Sequence, residues 1–126
     1  MVAAANGKEG NNHRKLIVWQ EAMNLVEGIY RMTSRFPGEE TYGLVAQLRR
    51  CAVSVPSNIA EGAGRNSRRE LFQFVGIASG SLAELDTQLE IAARLGYINR
   101  DSEPIKLSSR VGQLLVALRR SLKDRG

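Results

Sequence analysis

Apolar residues recur at intervals of three and four from Leu16 almost to the C-terminus, and this spacing restricts the possible folds more than any other feature. Such intervals place side chains on one face of an α-helix, whereas a β-strand needs strict alternation, which appears nowhere along the chain. Short breaks at FPGEE, GAGRNS and GYINRDSEP separate four periodic segments. Four helices with short connections predict an all-α protein, an antiparallel up-down-up-down four-helix bundle.

Helix-breaking residues set the limits of the first two helices. The first helix is expected over about 14–35, because Pro37 disfavours helical geometry at the residue before it. The second is expected to start within 39–42 and to end near Gly62 or Gly64. Gly64 is predicted to adopt the left-handed conformation after the helix, since glycine enters that region at little cost.

Capping residues mark the third and fourth helices. Ser67 and Glu70 have the spacing of a capping box, in which each side chain satisfies a backbone N–H of the other. The third helix is expected to end at Gly96. Asp101 is the predicted N-cap of the fourth helix, and Pro104 is tolerated in its first turn, where a missing N–H costs nothing.

The first helix carries two apolar lines, which is more than one bundle core usually buries. A lone monomer would leave part of this double face in water, and a large exposed apolar patch usually marks an interface. The sequence therefore predicts an oligomer. The two lines are Leu16–Trp19–Met23–Val26–Tyr30 and Val18–Ala22–Leu25–Ile29–Met32.

The length of 126 residues fits a single domain. We expect that domain over 14–124, preceded by a flexible tail over 1–13 that is small, polar and without periodicity. The start of the chain shows no apolar signal-peptide segment, and no apolar run is long enough to span a membrane. With Cys51 as the one cysteine, no internal disulfide can form, which fits a cytoplasmic location.

A net charge of +5, from 18 Lys and Arg against 13 Asp and Glu, favours polyanionic partners. The alternative is a basic surface that serves only solubility. Clustered cations flank the second connection and follow the fourth helix. The candidate nucleic-acid contacts are Arg65, Arg68, Arg69, Arg110, Arg119, Arg120 and Lys123.

Signs of catalysis are nearly absent. The single histidine, His13, falls in the predicted tail, and Cys51 lies on an apolar helical line, which is typical of a small buried residue. No set of ligands for a metal and no nucleophile–base pair is recognisable. The glycines of EGAGR follow a helix rather than a strand, so they do not form a dinucleotide-binding turn. We expect no enzyme, no metal, no cofactor and no small-molecule substrate.

Polar residues interrupt the second helix at SVPSNIAEGAGR and face a matching polar line on the third. They form either a buried network or two solvated faces, and Pro56 favours the network, since a proline kink frees a carbonyl that a polar neighbour can satisfy. We expect Asn58 and Glu61 to be largely buried and bonded to the third helix or to a neighbouring subunit. Arg49 and Arg50 are the predicted cations for Glu61 and Glu84. The proposed structural motif comprises Arg50, Ser57, Asn58, Glu61, Ser81 and Glu84.

Three segments, VWQEAMNLV, YGLVAQLRRCAVSVPSNIAEGAGR and FVGIASGSLAELDTQLEIAARLGYI, resemble in order and spacing the bacterial proteins encoded in 23S ribosomal RNA intervening sequences, also called four helix bundle proteins. The resemblance covers 16–98 and places 57–62 on the family's SNIAEG motif. It implies an antiparallel bundle, a homopentamer and no established enzymatic activity. The family is similar in shape to the accessory variability protein of diversity-generating retroelements, a basic pentameric barrel that binds nucleic acid and a reverse transcriptase.

These observations favour a non-enzymatic homo-oligomer that binds RNA or DNA, or a nucleic-acid enzyme, through a basic surface. In a ring, basic side chains would line a central opening or a concave face. The alternative is a protein-binding scaffold whose basic surface meets an acidic partner. An enzyme acting through Glu61 or Glu84 is a distant third, because no complete catalytic constellation is visible.

Overall fold

The computed structural model describes residues 12–125, which form four α-helices: α1 (Ile17–Thr33), α2 (Leu44–Ala63), α3 (Arg68–Arg94) and α4 (Glu103–Arg125). Each helix packs against the next, and α1 also packs against α4. Short connections make successive helices antiparallel. The predicted all-α up-down four-helix bundle is therefore confirmed.

The core consists of the stripes that the spacing predicted. Of the two apolar lines on α1, one is buried against the other helices, whereas the other is only partly covered, with Met23 37% and Tyr30 42% exposed. Leu122 extends the buried stripe of α4 almost to its end. The side chains that are fully buried and largest are Leu25, Ile29, Leu48, Ile59, Leu85, Leu89, Leu115, Val55, Val75 and Val111.

The N-terminal boundary differs from the expected start at residue 14. A 3-10 turn, His13–Lys15, comes first, and Leu16 is extended before α1 begins. The Asn12 side chain accepts a hydrogen bond from the Arg14 N–H at 3.0 Å, which caps this turn. His13 thus lies in an ordered turn, with its ring 5.0 Å from that of Trp19, rather than in the expected tail. The rest of the predicted tail, 1–11, lies outside the described residues.

Two of the predicted boundary details of α2 are wrong. A 3-10 turn, Gly38–Glu40, occupies the expected start, and α2 begins only after Gly43. The helix ends at Ala63, as predicted, but Gly64 has φ −80° and is right-handed. Gly64 stays right-handed because the helix ends in a tighter turn of the 3-10 type, in which the Arg65 N–H donates to the Gly62 carbonyl at 3.1 Å.

The ends of α3 follow the prediction. The Ser67 hydroxyl accepts a hydrogen bond from the Glu70 N–H at 3.0 Å, which is one half of the predicted capping box; the return bond from the Ser67 N–H to the Glu70 carboxylate is absent among the described residues. At the other end Gly96 has φ +83°, the conformation that favours glycine. The Tyr97 N–H reaches the Ala92 carbonyl at 2.9 Å, which completes a Schellman motif.

The start of α4 lies two residues beyond the predicted N-cap. The helix begins at Glu103, so Ser102 rather than Asp101 precedes it, and the Ser102 carbonyl accepts the first helical N–H bonds, from Ile105 and Lys106. Pro104 stands in the first turn, as expected.

Candidate nucleic-acid interface

The antiparallel order of the helices brings four chain segments to one end of the bundle. These are the turn before α1, the end of α2, the start of α3 and the last turns of α4. A cleft of about 250 Å³ at this end is lined from all four, by Leu16, Ala63, Leu71 and Leu122 among others. The connection between α2 and α3 contributes Arg65 and Arg68 to the same cleft.

Most of the predicted cations converge here, and every one that does is exposed. Arg14 and Lys15 join them, although the candidate set had omitted both. The up-down order alone could have found these two, since it places the start of the first helix beside the second connection. We call the following set the basic end: Arg14, Lys15, Arg65, Arg68, Arg69, Arg119, Arg120 and Lys123.

Arg110 does not belong to the basic end, although the sequence had grouped it there. It lies near the middle of α4 and pairs with Glu21 of α1, with 2.9 Å between Arg110 Nε and Glu21 Oε2. Hydrogen bonding to Arg110 also lowers the pKa of Glu21. Arg65 is paired as well, so it is the position of Arg110, near the middle of α4, that separates it from the other candidate contacts.

Three arginines of the basic end lie over aromatic rings. The guanidinium carbon of Arg119 is 4.6 Å from the centre of the Phe72 ring, that of Arg65 is 5.1 Å from Phe74, and that of Arg14 is 5.4 Å from Trp19. A cation over the face of a ring is attracted to it, and the ring also restricts where the guanidinium can lie. The positive charge at this end is thus partly fixed in position.

The polar residues of α2 meet those of α3 along the outer seam between the two helices. The Ser54 and Ser81 hydroxyl oxygens lie 2.7 Å apart, and the Asn58 amide donates to the Ser54 hydroxyl at 3.0 Å and to the Ser54 carbonyl at 2.9 Å. Ser57 donates to the Val53 carbonyl at 2.8 Å. These bonds reach the Val53 and Ser54 carbonyls, and among the described residues no side chain donates to the Ala52 carbonyl, which is the one that Pro56 frees. The Ser54–Ser81 contact joins the two helices as expected, but the predicted role of the proline kink is not confirmed.

The prediction for Glu61 is wrong within one chain. Its side chain is 52% exposed and pairs at 2.7 Å with Arg65, four residues further along the chain, in the connection that follows α2. The reason is that position 61 faces outward from the α2–α3 seam, where Arg65 is the nearest cation. Asn58 is half-buried rather than buried, and it bonds back to its own helix.

The two predicted cations of this motif, Arg49 and Arg50, do not pair with Glu61 or Glu84. Arg49 donates to the Thr33 hydroxyl at 2.9 Å and to the Tyr30 carbonyl, so it connects α2 to α1. Arg50 and Glu84 are exposed and belong to none of the ion pairs among the described side chains. The motif is therefore a neutral seam of hydroxyl and amide groups with charged residues at its edge.

Gly62 shows what the glycine of the SNIAEG motif does. A Cβ built at this position would lie 2.7 Å from Phe74 Cβ and 3.0 Å from Leu71 Cδ1. Only a residue without a side chain permits α2 and α3 to approach so closely. This packing role could not be read from the sequence, because it depends on the distance between two helices.

Cys51 lies half-buried on the same seam, where Gln88 Nε2 is 3.4 Å from its sulfur. Burial raises the pKa of the Cys51 thiol, which disfavours the reactive thiolate. Within residues 12–125, no group of three His, Cys, Asp or Glu residues is placed to hold a metal ion. Over the same part of the chain, no helix is both long and apolar enough to cross a membrane.

Comparison of the chain with protein-family models finds a match. The family model described as 23S rRNA-intervening sequence protein matches residues 14–118, which include all four helices except the end of α4. A search of curated protein sequences finds no match.

Proposed function

We propose that this chain, which belongs to the 23S rRNA-intervening sequence protein family, is a non-catalytic, oligomeric module that binds nucleic acid, RNA in the first place, through its basic end. The observation that carries the proposal is the convergence of cations from four chain segments on one end of the bundle. Among the acidic side chains that the structure describes at this end are Glu61 and Glu70, and Glu61 pairs with Arg65. The positive charge is therefore concentrated rather than spread over the surface.

Concentrated cations bind a phosphate backbone because each contact releases condensed counterions from the nucleic acid. The far end of the bundle offers no such excess. There Arg31 pairs with Glu27, and Arg94 and Arg100 both pair with Glu90. The polyanion is therefore expected to meet the basic end of the molecule rather than the opposite end.

The basic end can be tested by removing three charges together. Replacing Arg65, Arg68 and Arg69 with alanine should weaken the binding of a labelled single-stranded RNA and flatten its salt dependence, by about 0.7 slope units per lost phosphate contact. The measurement is fluorescence anisotropy of the RNA, titrated with the full chain at several salt concentrations. Nucleic acid that copurifies with the parent protein and is removed by high salt would also support nucleic-acid binding.

The matched control removes the same charge from the other end. Arg31, Arg35 and Arg94 are also exposed, and their triple alanine variant has the same net charge as the test variant because each loses three positive charges. The proposal expects the control to bind nearly as well as the parent. Equal losses in both variants would mean that total charge alone matters. If the parent binds neither RNA nor DNA at low salt, the nucleic-acid function is rejected and the protein-binding scaffold takes its place.

The oligomeric part of the proposal rests on the partly covered face between α1 and α2. Met23 and Tyr30 are exposed on α1, and Arg49 of α2 lies over the Tyr30 ring at 4.5 Å. Val53, one turn after Arg49, is 40% exposed and extends the apolar face onto α2. A face of this kind supports an interface with a second copy.

The proposed number of subunits is five, and it comes from the family resemblance. Light scattering at micromolar concentration and moderate salt should therefore give a mass about five times that of one 13.9 kDa chain. A mass near one chain would refute the oligomer. A dimer mass would keep the interface and reject the ring, together with the pooling of several basic ends around one nucleic-acid path.

A further inference from the structure

Arg119 differs from the other cations of the basic end in how its guanidinium group is held. It lies over the Phe72 ring, with 4.6 Å from the guanidinium carbon to the ring centre. Phe72 and Gly76 are four residues apart on α3, so they occupy the same side of that helix. A Cβ at Gly76 would lie only 3.2 Å from Arg119 Nη2 and 3.5 Å from Cζ. The guanidinium thus rests in a slot between an aromatic ring and a position that has no side chain.

The neighbouring cations lack this combination. Arg65 also stacks on a ring, but its guanidinium is shared with the Glu61 carboxylate at 2.7 Å. Arg120, the next residue on α4, is also exposed, but in the described part of the chain its guanidinium group does not lie over an aromatic ring. Arg119 remains exposed despite the slot, so a ligand can reach it.

A guanidinium that is already positioned suits phosphate recognition. Its planar fork can donate two parallel hydrogen bonds to one phosphate group, and it loses little side-chain freedom when it does so. We infer that Arg119, positioned by Phe72 and Gly76, is the residue of the basic end that binds a backbone phosphate of the nucleic acid through a bidentate pair of hydrogen bonds. This inference rests on the proposed function and adds a contact of defined geometry to it.

The test compares two arginine-to-lysine changes, which both retain the charge. Arg119→Lys removes the planar fork and its fit in the slot, whereas Arg120→Lys is the matched control one residue away. We expect Arg119→Lys to weaken single-stranded RNA binding by about two- to tenfold and Arg120→Lys to change it by less than about twofold. Since no charge is lost, the dependence of affinity on salt should stay nearly the same in both variants. A smaller folded fraction would also weaken apparent binding without changing its salt dependence, so both variants must first show the helical circular dichroism and the urea midpoint of the parent.

A second variant alters the slot and leaves the arginine in place. Phe72→Leu keeps an apolar side chain at a half-buried position but removes the ring under the guanidinium. It should also weaken RNA binding by a few-fold, with the helical circular dichroism spectrum unchanged. If Phe72→Leu does not fold, the pair of lysine variants decides the question.

The outcomes separate this inference from the function on which it rests. If the parent does not bind RNA or DNA, the proposed function itself fails. If the parent binds and the triple variant of Arg65, Arg68 and Arg69 loses affinity, but Arg119→Lys and Arg120→Lys behave alike, the basic end is retained and the role of Arg119 is refuted.

Discussion

Gly62→Ala is the substitution for which the structure makes the sharpest prediction. The new Cβ would lie 2.7 Å from Phe74 Cβ and 3.3 Å from Leu71 Cα, distances at which a backbone atom or the root of a side chain must move. Neither neighbour is the end of a flexible side chain, so α2 and α3 have to separate locally. Separation disturbs the packing of half-buried residues next to the core, and such overpacking typically costs about 1–3 kcal/mol.

An internal control is available because other glycines lie in helices of the same chain. A Cβ at Gly80, in the middle of α3, meets nothing within 4 Å. Gly80→Ala should therefore show only the helix-propensity gain, about 0.5–1 kcal/mol of added stability. At Gly62, in the last turn of α2, the propensity gain is smaller than the clash. The same chemical change is thus expected to have opposite signs at the two positions.

Urea unfolding followed by circular dichroism measures both effects as changes in the free energy of unfolding. All variants must be compared at one protein concentration, since assembly adds to apparent stability. A Gly62→Ala variant as stable as the parent would refute the close approach of α2 and α3. A destabilised Gly80→Ala would show that position 80 is covered in solution, for example by a second copy.

Three further predictions concern polar groups. Glu61→Ala should change the free energy of unfolding by no more than about 0.5 kcal/mol, because its pairing with Arg65 is an exposed contact between residues close in the chain, and a larger loss in urea unfolding would indicate burial by a neighbouring subunit. Hydrogen bonding to Arg100 lowers the pKa of Glu90 from 4.5 to about 2, so the ionised carboxylate stabilises the fold above pH 4.5 and this stabilisation is lost as the pH falls toward 2. In Arg100→Ala, the free energy of unfolding from urea titrations should therefore fall less over that pH range, and a pH profile like that of the parent would contradict the prediction. Ser67→Ala removes the N-cap hydroxyl of α3 and should cost about 1 kcal/mol, whereas Ser67→Gly should cost only a few tenths in the same unfolding assay.

The fold was predictable because each helix is specified by its own residues. The apolar spacing gave the core stripes of all four helices, Ser67 gave the start of α3, and Gly96 gave its end. The sequence misplaced the starts of α1, α2 and α4 and gave Gly64 the wrong conformation; these positions lie in connections or at helix ends, where neighbouring helices and not local propensity decide how the chain turns.

The candidate site was only partly predictable. The sequence identified six of the cations that converge, but it included Arg110, which Glu21 of another helix neutralises, and it omitted Arg14 and Lys15. It also expected Glu61 to be buried. A helical pattern gives the direction of a side chain around its own axis, but not which residue of a neighbouring helix stands opposite it.

The sequence by itself therefore determined the helices, their buried faces and the excess of positive charge, because these follow from the period of the α-helix and from composition. Only the tertiary structure decided which charges remain available and how they are held. The Arg110–Glu21 pair, the slot for Arg119 between Phe72 and Gly76, and the contact at Gly62 all depend on the rotation and distance between packed helices. Those quantities are set by the fit of many side chains at once, which no short stretch of sequence contains.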